Sequence, residues 1–241
     1  MAVINTEKCT GCGICVPYCT VRAIRLEDEA ALIDRGRCTE CYVCIREKVC
    51  PVGAIEVQPL TGFGEIFKHI LSDPTETLKE TGVPGRGTEE AKTNDVTGRF
   101  RQGEVGVCID MGRPGVGTSM RDVEKVTMAV AAAGLEIEGP ETSPIGLVIE
   151  DRATGKLRKE VLHEYLLSMI IEGKCPIPRL SGVLDALRRA ETQIDTVFTL
   201  GLVARTDAAG HTPILEILEE LGIPRPVRGK VNVGLGQPLA G

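Results

Sequence analysis

The chain has 241 residues, 42% hydrophobic and 26% charged, with a formal net charge of −6. This is the composition of a folded chain of one or two domains, and with aromatics at 3% and no basic excess it speaks against nucleic-acid binding by stacking or by a cationic face. The longest apolar stretch, Val126–Leu135, falls well short of the ~20 residues of a spanning helix, and the N-terminal MAVINTEKCTGC lacks the apolar centre of a secretion signal, so the expected location is the cytoplasm.

Eight of the ten cysteines lie in the first 50 residues: Cys9, Cys12, Cys15, Cys19, Cys38, Cys41, Cys44 and Cys50. A disulfide scaffold fits poorly, because it belongs to secreted chains. Two tetrahedral zinc sites would also use eight thiolates. The third cysteine of each run separates the readings. Cys9-x₂-Cys12-x₂-Cys15 and Cys38-x₂-Cys41-x₂-Cys44 each offer three corners from one tight loop and a distant fourth, a pattern that suits a cubane cluster better than the paired cysteines of zinc sites. The two runs also form an internal repeat. CTGCGICVPYCTVRAI (Cys9–Ile24) echoes CTECYVCIREKVCPVGAI (Cys38–Ile55).

These residues resemble the bacterial-type two-cluster ferredoxins, whose run is C-x₂-C-x₂-C-x₃-C-P with the fourth cysteine serving the other cluster. The resemblance covers residues 1–60 and implies two [4Fe–4S] clusters. One would take Cys9, Cys12, Cys15 and Cys50, and the other Cys38, Cys41, Cys44 and Cys19. The first run departs from the pattern with Thr20 in place of proline. The second keeps Pro51 but inserts two residues around Glu47–Val49. Ala23, Ile24, Ala54 and Ile55 are expected to pack on the clusters, and Tyr18 and Tyr42, beside ligands, to be either packing rings or residues of the electron path.

Residues 61–72 place Phe63, Phe67, Ile70 and Leu71 at helical spacing, giving an amphipathic helix that docks the first module on its neighbour. Asp73-Pro74-x-Glu76 reads as the start of a second short helix to about Thr81. Residues 82–103 hold five glycines and mixed charges, a polar loop that is either a linker or a binding loop.

From residue 104 the elements alternate. A strand at Val105, Val107 and Ile109 precedes a helix at Arg121–Ala133. Leu135–Glu138 and Ile145–Glu150 are short strands, the second followed by a turn at Asp151–Lys156. Helices are expected at Lys159–Glu172 and Arg179–Ala190, a strand at Thr196–Ala204, a last helix at Pro213–Leu221, and an irregular tail at Gly222–Gly241. The fold class is α+β: a dicluster ferredoxin module (1–60), docking helices and a polar glycine-rich loop (61–103), then an α/β domain (104–241) read as a ferredoxin-like α/β plait. That topology's name is unrelated to the cluster module.

The run Asp110–Ser119 contains three glycines beside Arg113 and joins a strand to a helix. It matches neither the P-loop nor the dinucleotide fingerprint. Either it is a tight turn with a Ser119-x-x-Asp122 cap, or it binds an anion. Arg86, Arg99, Arg113, Gly115, Gly117 and Thr118 are the candidate contacts to an anionic small molecule or partner. The histidines His69, His163 and His211 are scattered, and Cys108 and Cys175 stand alone as core thiols.

The expected function is low-potential electron transfer, one electron at a time, from two [4Fe–4S] clusters to a reductase or other redox subunit. No Rossmann fingerprint is present. A faint overall likeness to ferredoxin-headed proteins that accompany anaerobic reductases points the same way. Two alternatives remain: a catalytic subunit whose polar and glycine loops form an anion-binding substrate pocket fed by the clusters, and a redox or effector sensor with a small-molecule site inside the second domain.

Overall fold

The computed structural model describes residues 1–80, 82–84, 98–112 and 116–224. Arg86, Arg113, Gly115 and the tail from Arg225 onward lie outside the described residues.

The first 60 residues carry β1 (Ala2–Ile4), β2 (Ile24–Glu27), β3 (Ala30–Ile33), a one-turn helix α1 (Val43–Arg46) and β4 (Ile55–Val57). β1 pairs antiparallel with β4, and β2 with β3. The sequence repeat becomes an approximate two-fold in space. Asn5 N–H donates to Ala54 O at 2.8 Å and Asp34 N–H to Ala23 O at 2.7 Å, while Cys9 N–H and Cys38 N–H donate to Asn5 O and Asp34 O at 3.0 and 2.9 Å. Each half therefore braces the other. Ala2, Cys15, Ile24, Ala31, Ile33 and Val49 form the small core between them.

α2 (Phe63–Ser72) follows. Its Phe67 and Leu71 belong to the larger core of the second half, as expected of a docking helix. Lys68 Nζ lies 2.8 Å from Glu164, and the Arg158 guanidinium sits 4.6 Å over the Phe63 ring. The second helix expected from Asp73 does not form among the described residues. Asp73 Oδ1 instead accepts from Thr75 N–H and Thr75 Oγ1 at 2.9 and 2.7 Å, a local turn that competes with helix propagation. β5 (Thr77–Leu78) and β6 (Val83–Pro84) then pair antiparallel.

The second half runs through β7 (Glu104–Met111), β8 (Thr118–Ser119), α3 (Met120–Ala132), β9 (Glu136–Ile137), β10 (Ile149–Asp151), β11 (Lys156–Leu157), β12 (Tyr165–Leu166), β13 (Met169–Pro176), α4 (Leu180–Glu191), β14 (Phe198–Ala204) and α5 (Leu215–Glu220). Its main sheet has the order β14-β7-β13-β9, and every neighbouring pair is antiparallel. Val105, Val107, Ile109 and Met111 on one face of β7 are fully buried in one core with Val123, Val126 and Val130 of α3 and Val183 and Leu184 of α4.

Two expectations for the second half need correction. Lys159–Glu172 is not a helix. It contains a single turn at Lys159–Val161, then β12 and the start of β13. Met169 through Gly173 are all buried, because β13 lies between β7 and β9 and is covered on both faces. A continuous apolar run of that kind has no strand periodicity to read. Ile145–Glu150 is likewise a turn at Pro144–Leu147 before β10, and β10 pairs with β11 around the expected Asp151–Lys156 turn and not with the main sheet. Among the described residues no helix is long and apolar enough to cross a membrane.

Candidate metal centres

The first thiol loop turns on two glycines in the left-handed region, Gly11 (φ 64°) and Gly13 (φ 72°). A Cβ on Gly11 would stand 2.5 Å from Glu29 O, so only glycine fits there. The loop presents Cys9, Cys12 and Cys15. Cys50, from the other half, joins them on one cavity, together with Ile4, Ala31, Pro51, Val52 and Ala54. The cavity encloses about 320 Å³ of empty space, its open mouth included. Ala31 N–H donates to Cys9 Sγ at 3.3 Å and Ala54 N–H to Cys50 Sγ at 3.1 Å. Burial raises the Cys15 thiol, and the neighbouring Cys12, Cys50 and Cys9 raise it further, against a backbone hydrogen bond that lowers it. Burial also acts to raise Cys50, but the backbone N–H groups from Val52 to Ile55 outweigh it and hold that thiol below its ordinary value. Donors aimed at sulfur suit a thiolate, the form in which cysteine binds metal.

The second loop presents Cys38, Cys41 and Cys44. Cys44 lies within electrostatic reach of Cys41 and Cys19, and Ala23 N–H donates to Cys19 Sγ at 3.1 Å, the counterpart of the Ala54–Cys50 bond. Burial pushes the Cys38 and Cys44 thiols up to about 12. Among the described residues no three His, Cys, Asp or Glu side chains converge on a single ion position.

The loops differ where the repeat is aligned. Glu40 and Tyr42 stand at the positions of Gly11 and Gly13 and adopt the same left-handed backbone, with φ 54° and 53°. For residues with side chains this conformation costs roughly 1–3 kcal/mol each and persists only where the surroundings enforce it. The anchors are evident. The Glu40 carboxylate accepts from Ala2 N–H at 2.7 Å, and its carbonyl bonds His69 Nδ1 at 2.7 Å. The His69 and Tyr42 ring centroids are 4.4 Å apart. Arg46 Nη1 donates to Cys41 O at 2.7 Å and pairs with Asp73. The docking helix and the residue that ends it thus hold the second loop. Sequence reasoning singled out none of Glu40, His69, Arg46 and Asp73 as site residues. The signal was the pair of side chains standing at glycine positions of the repeat.

Ala23, Ile24 and Ala54 are buried and Ile55 is half-buried. Tyr42 packs on His69, whereas Tyr18 is 49% exposed and is no core ring. Of the proposed anion contacts, Arg99 Nη2 lies 2.8 Å from Glu138. Gly117 (φ 84°) accepts a hydrogen bond from Thr196 Oγ1 at 2.6 Å and abuts the Tyr165 ring. Thr118 is fully buried and donates to Ser119 O. Ser119 Oγ accepts from Asp122 N–H and caps α3, the turn-and-cap reading of that run. Tyr165 also donates to Val116 O at 3.1 Å, and the guanidinium of Arg37, next to Cys38, lies 5.5 Å over its ring. One end of the glycine loop is therefore tied to the second thiol loop. His163 follows the Lys159–Val161 turn, and His211 lies in a loop against Asp207. Cys108 faces Glu172 across β7 and β13, and Cys175 is buried.

Residues 2–25 match the family of 4Fe-4S binding domains. Ferredoxin-1 of Chlorobaculum tepidum is 39% identical over 61 residues, which are 23% of this chain and 95% of that protein. The chain belongs to the ferredoxin family. Its ferredoxin segment is also similar to an uncharacterized ferredoxin-like protein of Haemophilus influenzae, at 43% identity over 58 residues, and to Ferredoxin YfhL of Escherichia coli, at 38% over 58 residues. Each of these matches covers 22% of this chain and 65% of the relative. The likeness covers the N-terminal ~60 residues, and the second half is not recognised. No solved structure matches the chain. The ferredoxin segment is that of an iron–sulfur electron carrier of the 4Fe-4S type.

Proposed function

We propose that this ferredoxin holds two [4Fe–4S] clusters, one on Cys9, Cys12, Cys15 and Cys50 and one on Cys38, Cys41, Cys44 and Cys19, and relays electrons singly to a partner reductase of anaerobic metabolism. One observation carries the reading: Cys50 lines the same cavity as Cys9, Cys12 and Cys15, although the nearer Cys44 run ends only six residues before it. In the first set the four thiols line one shared cavity, which suits a cubane. When bound, the clusters supply one-electron carriers whose potential follows charge, hydrogen bonds to sulfur and exposure. The protein's part is to donate the Ala23, Ala31 and Ala54 N–H groups to sulfur and to line the first cavity with Ile4, Val52 and Ile55.

The second half is proposed to be a plait that docks the relay in the cytoplasm on its partner. Its β-α-β-β-α-β succession β7-α3-β9-β13-α4-β14 and the spatial order β14-β7-β13-β9 support this topology. Fold alone names no chemistry. Anaerobic reconstitution followed by co-purification at native expression level tests the function. A redox enzyme subunit retained with the holo chain is the expected result. A holo chain that runs alone and reduces no added reductase contradicts it.

A second reading, an anion-binding catalytic subunit, is favoured by the Arg37–Tyr165–Val116 contact, which brings one end of the glycine loop to the Cys38 loop. Substituting Arg86, Arg99 and Arg113 together by Gln separates the two readings. Lost turnover with intact clusters and intact partner binding supports catalysis within this chain.

A further inference from the structure

The approximate two-fold that relates the halves of the ferredoxin segment breaks at the Ala2 N–H. Ile4 pairs with Ile55 in β1–β4, and Ile33 with Ile24 in β2–β3. Cys9 N–H donates to Asn5 O as Cys38 N–H donates to Asp34 O. In that alignment Ala2 is the mate of Ala31. Ala31 N–H points at sulfur, donating to Cys9 Sγ at 3.3 Å. Ala2 N–H does not reach Cys38. It donates to Glu40 Oε2 at 2.7 Å. Glu40 is 2% exposed and stands where the first loop has Gly11. The first loop has no space for such a group, since a Cβ on Gly11 would meet Glu29 O.

We propose that Glu40 gives the Cys38 site a lower reduction potential than the Cys9 site, an inference that rests on the two-cluster reading above. Reduction adds one electron and makes or breaks no bond, so the electrostatics around sulfur decide its ease. An N–H dipole aimed at sulfur stabilises the added charge; a buried carboxylate beside it opposes that charge. Glu40 does both things at once to the second site: it withdraws the Ala2 donor and sets its carboxylate oxygens beside Cys38. Cations near the second loop temper the effect without cancelling it: Arg46, which donates to Cys41 O, is paired with the buried Asp73. Arg35 Nη1 is 3.4 Å from Glu40 Oε1 but 45% exposed, where solvent screens it. Lys68 is committed to Glu164 at 2.8 Å. Exposure of the thiols does not set the sites apart: Cys12 is exposed and Cys15 buried in the first loop, and Cys38, Cys41 and Cys44 are half-buried in the second. The chain therefore carries a built-in potential step, with the lower-potential site on the side of the second half.

The test is an EPR-monitored redox titration of the full chain after anaerobic reconstitution, for wild type, Glu40→Gln and Glu40→Gly. The Cys9 site's signal is assigned by Cys12→Ser. Two midpoint potentials are expected, the lower belonging to the Cys38 site. Glu40→Gln raises that lower midpoint and leaves the upper one in place. Glu40→Gly raises it further, because Ala2 N–H is freed, and glycine keeps the left-handed backbone without strain, as Gly11 does. Eight iron per chain with the lower midpoint at the Cys9 site, or with neither midpoint moved by either variant, overturns the inference alone. Four iron per wild-type chain and a single midpoint overturns the two-cluster reading and the inference with it.

Discussion

Lys68 Nζ and Glu164 Oε2 meet at 2.8 Å where α2 docks on the second half, and both side chains are almost wholly buried. His163 Nε2 also approaches Glu164 at 3.1 Å, but from an exposed position. Breaking such a pair from one side strands a buried charge, which costs about 3–5 kcal/mol. Lys68→Met should lower the stability of the full chain by about 3 kcal/mol in anaerobic denaturant unfolding. The double variant Lys68→Met/Glu164→Leu should recover most of the loss. A single variant as stable as wild type would show that the interface does not depend on this pair.

Gly11→Ala should selectively impair the first thiol loop. The added Cβ meets Glu29 O at 2.5 Å and the backbone is left-handed, so the cost is at least about 2 kcal/mol from strain and collision together. Iron retained at the Cys9 site after reconstitution should fall while the Cys38 site fills normally. Equal loss at both sites contradicts the local argument.

Glu172 predicts a pH dependence of stability. Burial, with Glu138 and Asp110 nearby and against the pull of Ser143 and Arg99, raises its carboxyl from 4.5 to about 7. Its Oε2 has no hydrogen-bond partner among the described residues. Between pH 4.5 and about 7 the folded chain holds a proton that the unfolded chain releases, so stability is highest below this window and declines as pH rises through it. Glu172→Gln should flatten the decline and stabilise the chain at pH 8 by an amount on the order of 3 kcal/mol. Parallel melting-temperature profiles for wild type and variant across pH 5–8 would contradict the assignment.

The ferredoxin segment was legible because its chemistry is written as spacing. Cysteine intervals and the repeat gave both thiol loops, and the Ser119 cap and the α2 stripe of Phe67 and Leu71 were equally local signals. Residues 159–172 carry a misleading pattern for a physical reason: Leu162, Leu166 and Ile170 have helical spacing, but the chain enters the middle of a sheet, where both faces are buried and periodicity is lost. The turn at Asp73 is hidden from the sequence because its carboxylate binds Thr75 and Arg46, contacts that a cap pattern does not reveal. Glu40 was visible as a substitution in the repeat. Its meaning required the backbone angle and the redirected Ala2 hydrogen bond.

Cys108 and Cys175 should be dispensable for metal. Cys108 sits on β7 opposite Glu172 with its thiol pushed up to about 12, first by burial and then by Glu172 and Asp110. Cys175 is 2% exposed in the larger core. Cys108→Ala and Cys175→Ala should retain full iron, and iron loss in either would require a different ligand set.

The crossed ligand sets are tested most directly by cluster-resolved EPR and iron analysis of reconstituted Cys50→Ala beside wild type. The wild-type chain should hold about eight iron and eight sulfide, twice the four of a single cubane. The variant should lose or convert the cluster on Cys9, Cys12 and Cys15 and keep the one on Cys38, Cys41 and Cys44. Loss of the Cys38 cluster instead, or stoichiometric zinc in native wild-type protein, would contradict the account.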